Sequence, residues 1–156
     1  MKNNEEFEYA GFWIRIWASV IDLLLILLVT IPVLLGFYGS EYFESDAWVQ
    51  GPLDFELNNI FPAFATILFW RYESATPGKM AISAKIVDAV TGEPPSLAQC
   101  IGRYFAYIIS IIALGLGVFW IAFDRKKQGW HDKLAGTVVI RKKDSGPQFV
   151  KFNGQI

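Results

Sequence analysis

Six side chains in this sequence could do chemistry: Arg15, Asp22, Arg103, Asp124, His131 and Asp132. Asp22 is the most informative, because it is the one charge in an apolar run from Ile16 to Tyr38. A carboxylate at the centre of a membrane helix costs roughly 2.5 to 3.5 kcal/mol on insertion scales, so it needs either a use or a partner. One carboxylate can hold a proton and a monovalent cation alternately, since both compete for the same oxygens. The structural alternative is a hydrogen-bonded or ion-paired group that fixes helix packing. Arg15 lies about two helical turns earlier, on the same face but too far for direct contact. Arg103 is the first expected partner of Asp22 and Arg15 the second; both arginines otherwise serve as anchors at the membrane interface.

His131 is the single histidine and stands beside Asp132. An imidazole there could sense pH or act as a general base. It has no second histidine for a metal and no serine or cysteine in a nucleophile elbow, so a structural hydrogen bond is its plainer role. Pro77-Gly78-Lys79 is not a phosphate-binding loop, because Glu73 stands where the earlier glycine belongs and Met80 replaces the Ser/Thr. Gly115 and Gly117 lack the third glycine of a dinucleotide fingerprint, its place being taken by Trp120. Cys100 is alone, which excludes an intrachain disulfide and a multi-cysteine metal site. These residues predict no catalytic set, no metal and no cofactor, and therefore no enzyme.

The elements that must position these residues follow from hydropathy. Of the 156 residues 53% are hydrophobic and 16% aromatic, gathered in long uncharged runs. Mean hydropathy is +0.33. About 20 apolar residues cross a hydrocarbon core, and Ile16 to Tyr38 supplies them, with Phe12, Trp13 and Trp17 as an aromatic belt and Pro32 tolerated inside. The run is too long, and its flank (Glu5, Glu6, Glu8 against Lys2) too acidic, for a cleaved signal; a retained helix is expected. Ile60 to Trp70 is short, and becomes a second span when extended to Leu57 and Tyr72, with Asn58 or Asn59 as its cap. Ala84 to Val90 and Thr137 to Lys142 read as short strands that pair. Ser96 and Gln99 form a capping box opening the last apolar stretch, Leu97 to Phe123.

Orientation follows Lys and Arg. Two lie up to Arg15, none from Gly39 to Asn58, four from Arg71 to Arg103 and eight after Phe123. The first loop is therefore outside, and the N-terminus and middle segment inside. A single crossing by the last stretch would put the most basic segment outside. Leu97 to Phe123 is expected instead to enter and return at Gly115-Leu116-Gly117, the alternative being an ordinary third span. The basic runs Arg125 to Lys127 and Arg141 to Lys143 suit anionic lipid headgroups. With a net charge of −1, no nucleic-acid partner is expected.

Several motifs then occur in order: Tyr9-Ala10-Gly11-Phe12-Trp13-Ile14-Arg15 leading to Ala18 and Ile21-Asp22; Thr76-Pro77-Gly78-Lys79; Lys85-Ile86-Val87-Asp88; Arg103; Asp124; and Trp130-His131-Asp132-Lys133-Leu134-Ala135-Gly136-Thr137. From Tyr9 to about Ile140 this resembles the RDD family of small prokaryotic membrane proteins, named for one arginine and two aspartates. Arg15 and Asp22 match the first two; Asp132 and Asp124 both remain open for the third. The resemblance implies a protein of the bacterial or archaeal cell membrane, and the spans read above make it multi-pass. It implies little about activity, although transport, including cation/proton antiport, has been proposed for some members.

The expected fold is an all-α membrane protein with two to four membrane-embedded helices: two spans plus a re-entrant or third span. A small cytoplasmic β-hairpin-like element completes it. The expected organisation is a cytoplasmic N-terminal segment (1–8), an RDD-like transmembrane domain (9–142) and a loose C-terminal tail (143–156), with N-terminus and tail both cytoplasmic at the cell (inner) membrane. The expected function is membrane transport or cation/proton exchange using Asp22, with a non-catalytic scaffold or assembly factor as the alternative. The expected partners are the lipid bilayer, monovalent cations and protons, and a second copy or another membrane protein, since so few spans make a thin wall for a pathway.

Overall fold

The computed structural model describes residues 7–113 and 115–143. The N-terminal segment is thus described only from Phe7, and from position 144 the C-terminal tail lies outside the described residues. The chain is mostly helical. Strand β1 (Phe7–Tyr9) leads into helix α1 (Phe12–Tyr38). At about 1.5 Å per residue its 27 residues extend about 40 Å, more than the ~30 Å of a hydrocarbon core. It begins a turn before the expected Ile16, which places Arg15 inside the helix, and it carries Pro32 without breaking. A 3₁₀ turn (Ser40–Phe43) follows Gly39.

The second apolar segment departs from expectation. It opens at Gly51 as α2 (Pro52–Phe55), passes through a π-helical turn (Glu56–Ile60) and continues directly as α3 (Phe61–Tyr72). Asn58 and Asn59 do not cap it; they lie inside the π turn. Asn58 Nδ2 donates to Asp54 Oδ1 at 2.5 Å and Asn59 Nδ2 to the Phe55 carbonyl at 3.1 Å. The polar residues that looked like a boundary instead hydrogen-bond back along their own helix. The short helix α4 (Pro77–Ala81) starts at a proline, whose missing N–H is an orphan in a first turn anyway. It packs on α1. A Cβ at Gly78 would lie 2.0 Å from the Ala18 carbonyl oxygen, so only glycine permits this approach.

Strand β2 (Ala84–Asp88) is followed by α5 (Leu97–Ile112), opened by the expected Ser96/Gln99 capping box. A bend of 110° then separates α5 from α6 (Leu116–Phe119) and the 3₁₀ turn after it (Trp120–Ala122). A Cβ on Gly117 would lie 2.7 Å from Ser110 Cβ, so the glycine lets the returning limb lie against α5. Helix α7 (Trp130–Ala135) and strand β3 (Thr137–Lys142) complete the order.

The β element is a three-stranded sheet rather than a hairpin-like pair. Strand β3 is central, antiparallel to β2 with Ile86 opposite Val139, and antiparallel to β1 with Glu8 opposite Arg141. The pairing of the two expected strands is present. The third strand is not legible in the sequence because Phe7-Glu8-Tyr9, although alternating, is too short for a strand pattern to stand out. One sheet thus gathers the residue stretches before α1, between α4 and α5, and after α7. Ala10, Ala84, Ile86, Cys100 and Val139 form its core with Trp70 from the end of α3. Beyond it, α1, α3 and α5 carry large exposed apolar side chains, among them Leu24, Leu28, Phe64, Phe105 and Ile112. Among the described residues α1 is the one unbroken helix long and apolar enough to cross a membrane, and the bent α5–α6 pair is a second, weaker candidate.

Candidate functional site

Four of the six sequence candidates meet at one buried point. Asp132 is fully buried on the first turn of α7 and faces two guanidinium groups. Arg15 Nη1 donates to Asp132 Oδ2 at 2.6 Å, and Arg103 Nη1 lies 2.5 Å from Oδ1. The other two Arg15 nitrogens are engaged as well: Nε donates to the Ala10 carbonyl at 3.0 Å and Nη2 to the Lys127 carbonyl at 2.6 Å. Arg103 Nη1 also donates to Thr137 Oγ1 at 2.6 Å. Its guanidinium carbon sits 5.2 Å from the Trp70 ring and 5.7 Å from the Tyr107 ring, a cation–π arrangement that helps to hold a buried cation. Asp132 Oδ2 further accepts from the Gly129 N–H at 2.9 Å, closing the first turn of its own helix. Burial alone would push the Asp132 pKa up, but the Arg103 and Arg15 charges hold it well below the ordinary carboxylate range.

His131 is fully buried and stacks on Tyr107, ring centroids 3.6 Å apart. Burial pushes its pKa down to about 3, against a smaller upward pull from Asp132, so the imidazole is neutral at physiological pH. Asp124 stands apart. Its Oδ1 pairs with Lys133 Nζ at 2.6 Å, and its Oδ2 accepts from the backbone of Lys126 and Gln128. The aspartate that meets Arg15 is therefore Asp132.

Asp22 is not the partner of either arginine, which corrects the sequence expectation. Its carboxylate accepts from Thr76 Oγ1 and from the Gly78 N–H, each at 2.6 Å. Both arginines are engaged by Asp132, while the opening turn of α4 offers a hydroxyl and an orphan backbone N–H beside α1, and an anion is favoured at such a terminus. Asp22 is only half-buried. It lines a cavity of about 530 Å³ between α1 on one side and α3 and α5 on the other. The walls are apolar (Leu23, Ile26, Phe61, Phe69, Ile108), and Ser19, Asp22, Thr76, Lys79, Tyr104 and Tyr107 bring polar atoms to it.

Lys79 escaped the sequence reading. It is buried, and its Nζ donates to Thr76 Oγ1 at 3.3 Å. Its pKa is pushed down by burial, with Tyr107 and Asp22 opposing and Arg103 and Arg15 adding to the fall. A lysine directly after Pro-Gly at a helix start carries no sign in the sequence of being buried. Among the described residues no group of three or more His, Cys, Asp or Glu side chains could hold a metal ion.

Two stability predictions follow. Asp132→Ala leaves two buried guanidinium groups without a counter-ion and is expected to destabilise the fold by about 3 to 5 kcal/mol. The check is thermal or denaturant unfolding in detergent, with the exposed Asp46→Ala as reference. The second concerns His131, whose pKa falls from 6.5 to about 3 on folding, so between those values the unfolded chain binds a proton that the folded chain refuses. Its contribution is complete above about pH 6.5 and is lost as pH falls toward 3, by at most about 1.4 kcal/mol per pH unit. His131→Phe, which keeps the stack on Tyr107, is expected to flatten the stability profile between pH 5 and 7 measured in the same assay.

The chain is similar to known sequences over most of its length. Residues 9–136 match the profile of the RDD family. The uncharacterized protein RP437 of Rickettsia prowazekii is 34% identical, with 85% of this chain and 96% of the relative covered. The uncharacterized protein YxaI of Bacillus subtilis is 32% identical over 85% of this chain and 97% of its own. The uncharacterized membrane protein YteJ of the same organism is 27% identical over 86% and 82%. No solved structure matches. With a long apolar helix, exposed apolar faces and bacterial relatives of nearly its own length, this chain has the character of a bacterial membrane protein, and it belongs to the RDD family.

Proposed function

We propose that the protein exchanges a monovalent cation for a proton across the bacterial inner membrane, with the Asp22 carboxylate as the cation ligand. One observation carries this reading: Asp22 is a membrane-helix carboxylate that opens onto a cavity, rather than a dry acid locked in an ion pair. Each of its oxygens accepts one hydrogen bond and retains a further lone pair. Thr76 Oγ1 and Ser19 Oγ are hard oxygen donors on the same cavity, suited to a small cation. Cation and proton displace one another at this site, so transport depends on pH.

The topology that accompanies the reading has the sheet on the cytoplasmic side. Helix α1 crosses outward, the α2–α3 segment crosses back, and the α5–α6 pair enters and returns. Lys/Arg asymmetry supports this, and so does the sheet, which joins Phe7–Tyr9 to Ala84–Asp88 and Thr137–Lys142 at one end of the molecule. The pathway is completed by a second copy.

A second reading keeps one specific support. The Arg15–Asp132–Arg103 cluster is fully buried and serves packing, as a membrane scaffold would need. Sodium, potassium and lithium flux in proteoliposomes under an imposed pH gradient separates the two. Exchange predicts uptake that Asp22→Asn reduces at least tenfold while the variant stays folded and monodisperse. The scaffold predicts no flux at any pH. For orientation, in a Cys100→Ser background, Asp46→Cys should react with an impermeant thiol reagent applied to intact cells and Arg125→Cys should not; reaction of the second removes the proposed topology.

A further inference from the structure

We infer that the proton exchanged at this site is carried by Lys79 rather than by Asp22, the ammonium and the carboxylate being coupled through the Thr76 hydroxyl. The inference rests on the exchange reading above and assigns its proton carrier. The hydrogen bonds are continuous: Lys79 Nζ donates to Thr76 Oγ1 at 3.3 Å, and that same hydroxyl donates to Asp22 Oδ2 at 2.6 Å. Among the described residues Lys79 forms no direct ion pair, although it is buried. Its charge is answered only across one hydroxyl.

The charge balance around Lys79 explains why it would yield the proton. The groups facing it are Asp22 and Arg15 from α1, Arg103 and Tyr107 from α5, and the neutral His131 from α7. Asp132 neutralises only one of the two arginines that flank it. With Lys79 protonated and Asp22 ionised, the fixed charges sum to one positive charge. A cation entering at Asp22 raises that sum in a desolvated place, unless one positive charge leaves. Lys79 is the one that can, because a guanidinium does not release its proton in proteins. Burial has already weakened its hold, as its lowered pKa records.

The step balances. A cation M⁺ binds Asp22 Oδ1 and Oδ2. The N–H bond of the Lys79 ammonium breaks, its electron pair stays on nitrogen as the neutral amine, and the proton passes to water. One proton leaves for one cation, and the site keeps its net charge. The reverse step, protonation of the amine, expels the cation. Exchange is therefore electroneutral and driven by the pH difference alone.

The test is sodium movement in proteoliposomes under either a pH gradient or a membrane potential. Wild-type protein is expected to follow the pH gradient, tenfold in sodium ratio per pH unit, and to ignore the potential. Lys79→Met removes the proton carrier but leaves Asp22, so sodium should move as a bare charge. Its ratio should then respond to the potential by roughly 50-fold per 100 mV and no longer to pH. Lys79→Arg retains the fold and the charge but holds its proton, and should stop exchange. A Lys79→Met variant still coupled to pH as in the wild type, or a Lys79→Arg variant exchanging at the wild-type rate, overturns the inference while leaving exchange at Asp22 standing. Wild-type protein that moves no cation at any pH overturns both.

Discussion

The structure turns on one carboxylate shared by two arginines. Asp132 is fully buried, and so is Arg103; Arg15 is nearly so. Removing three charges from water carries a penalty of several kcal/mol per ion, recovered only when geometry and hydrogen bonding are both good. Here the geometry joins parts far apart in the chain. Arg15 belongs to the first turn of α1, Arg103 to α5 and Asp132 to α7, and Arg15 also reaches the Ala10 and Lys127 carbonyls. The contact fixes where α1 leaves the sheet, how α5 lies across it and where the chain returns after α6. The sheet adds a second closure of the same ends, with β3 hydrogen-bonded to both β1 and β2.

This arrangement anchors α1 at one end only. Its first turns are held by the arginine cluster and by α4, which docks through Gly78 against Ala18 and through Asp22. Further along, most of its large side chains are exposed, and the cavity separates it from α3 and α5. The charged cluster and the cavity carboxylate thus divide the polar labour. Asp132 is locked in place by two charges; Asp22, two turns of helix from Arg15, is held by neutral donors and keeps access to open space.

What the sequence disclosed follows what physics is local. The apolar length of α1, the Ser96/Gln99 box and the strand Thr137 to Lys142 depend on neighbours within a few residues, and all are present, α1 with one further turn at its start. Strand Ala84 to Asp88 is two residues shorter than its apolar pattern, since Asp88 turns to bind the backbone of Val90 and Thr91. Partnerships across the fold were less readable. The pairing of Asp22 with an arginine was a sound reading of charge cost, but a hydroxyl and an N–H at a helix start can meet the same need without a formal charge. That choice depends on α4 reaching α1, which in turn depends on a glycine. Asp124 and Asp132 could not be separated by spacing, because what distinguishes them is that α7 turns one inward and leaves the other to Lys133 at the surface. Lys79 carried no sign in sequence of being buried.

The separation of Arg15 and Asp132 by 117 positions sets an order of events during biosynthesis. Helix α1 leaves the ribosome and enters the bilayer first, with Arg15 at its head and no carboxylate yet made to receive it. At translation rates of about 5 to 20 residues per second, Asp132 emerges on the order of ten seconds later. Throughout that interval the guanidinium must stay among water and headgroups, and the nascent chain holds a first helix whose closing sheet and ion cluster do not yet exist. The last-made quarter of the domain thus completes the first-made part, so the membrane holds a chain that cannot finish folding until synthesis is nearly done.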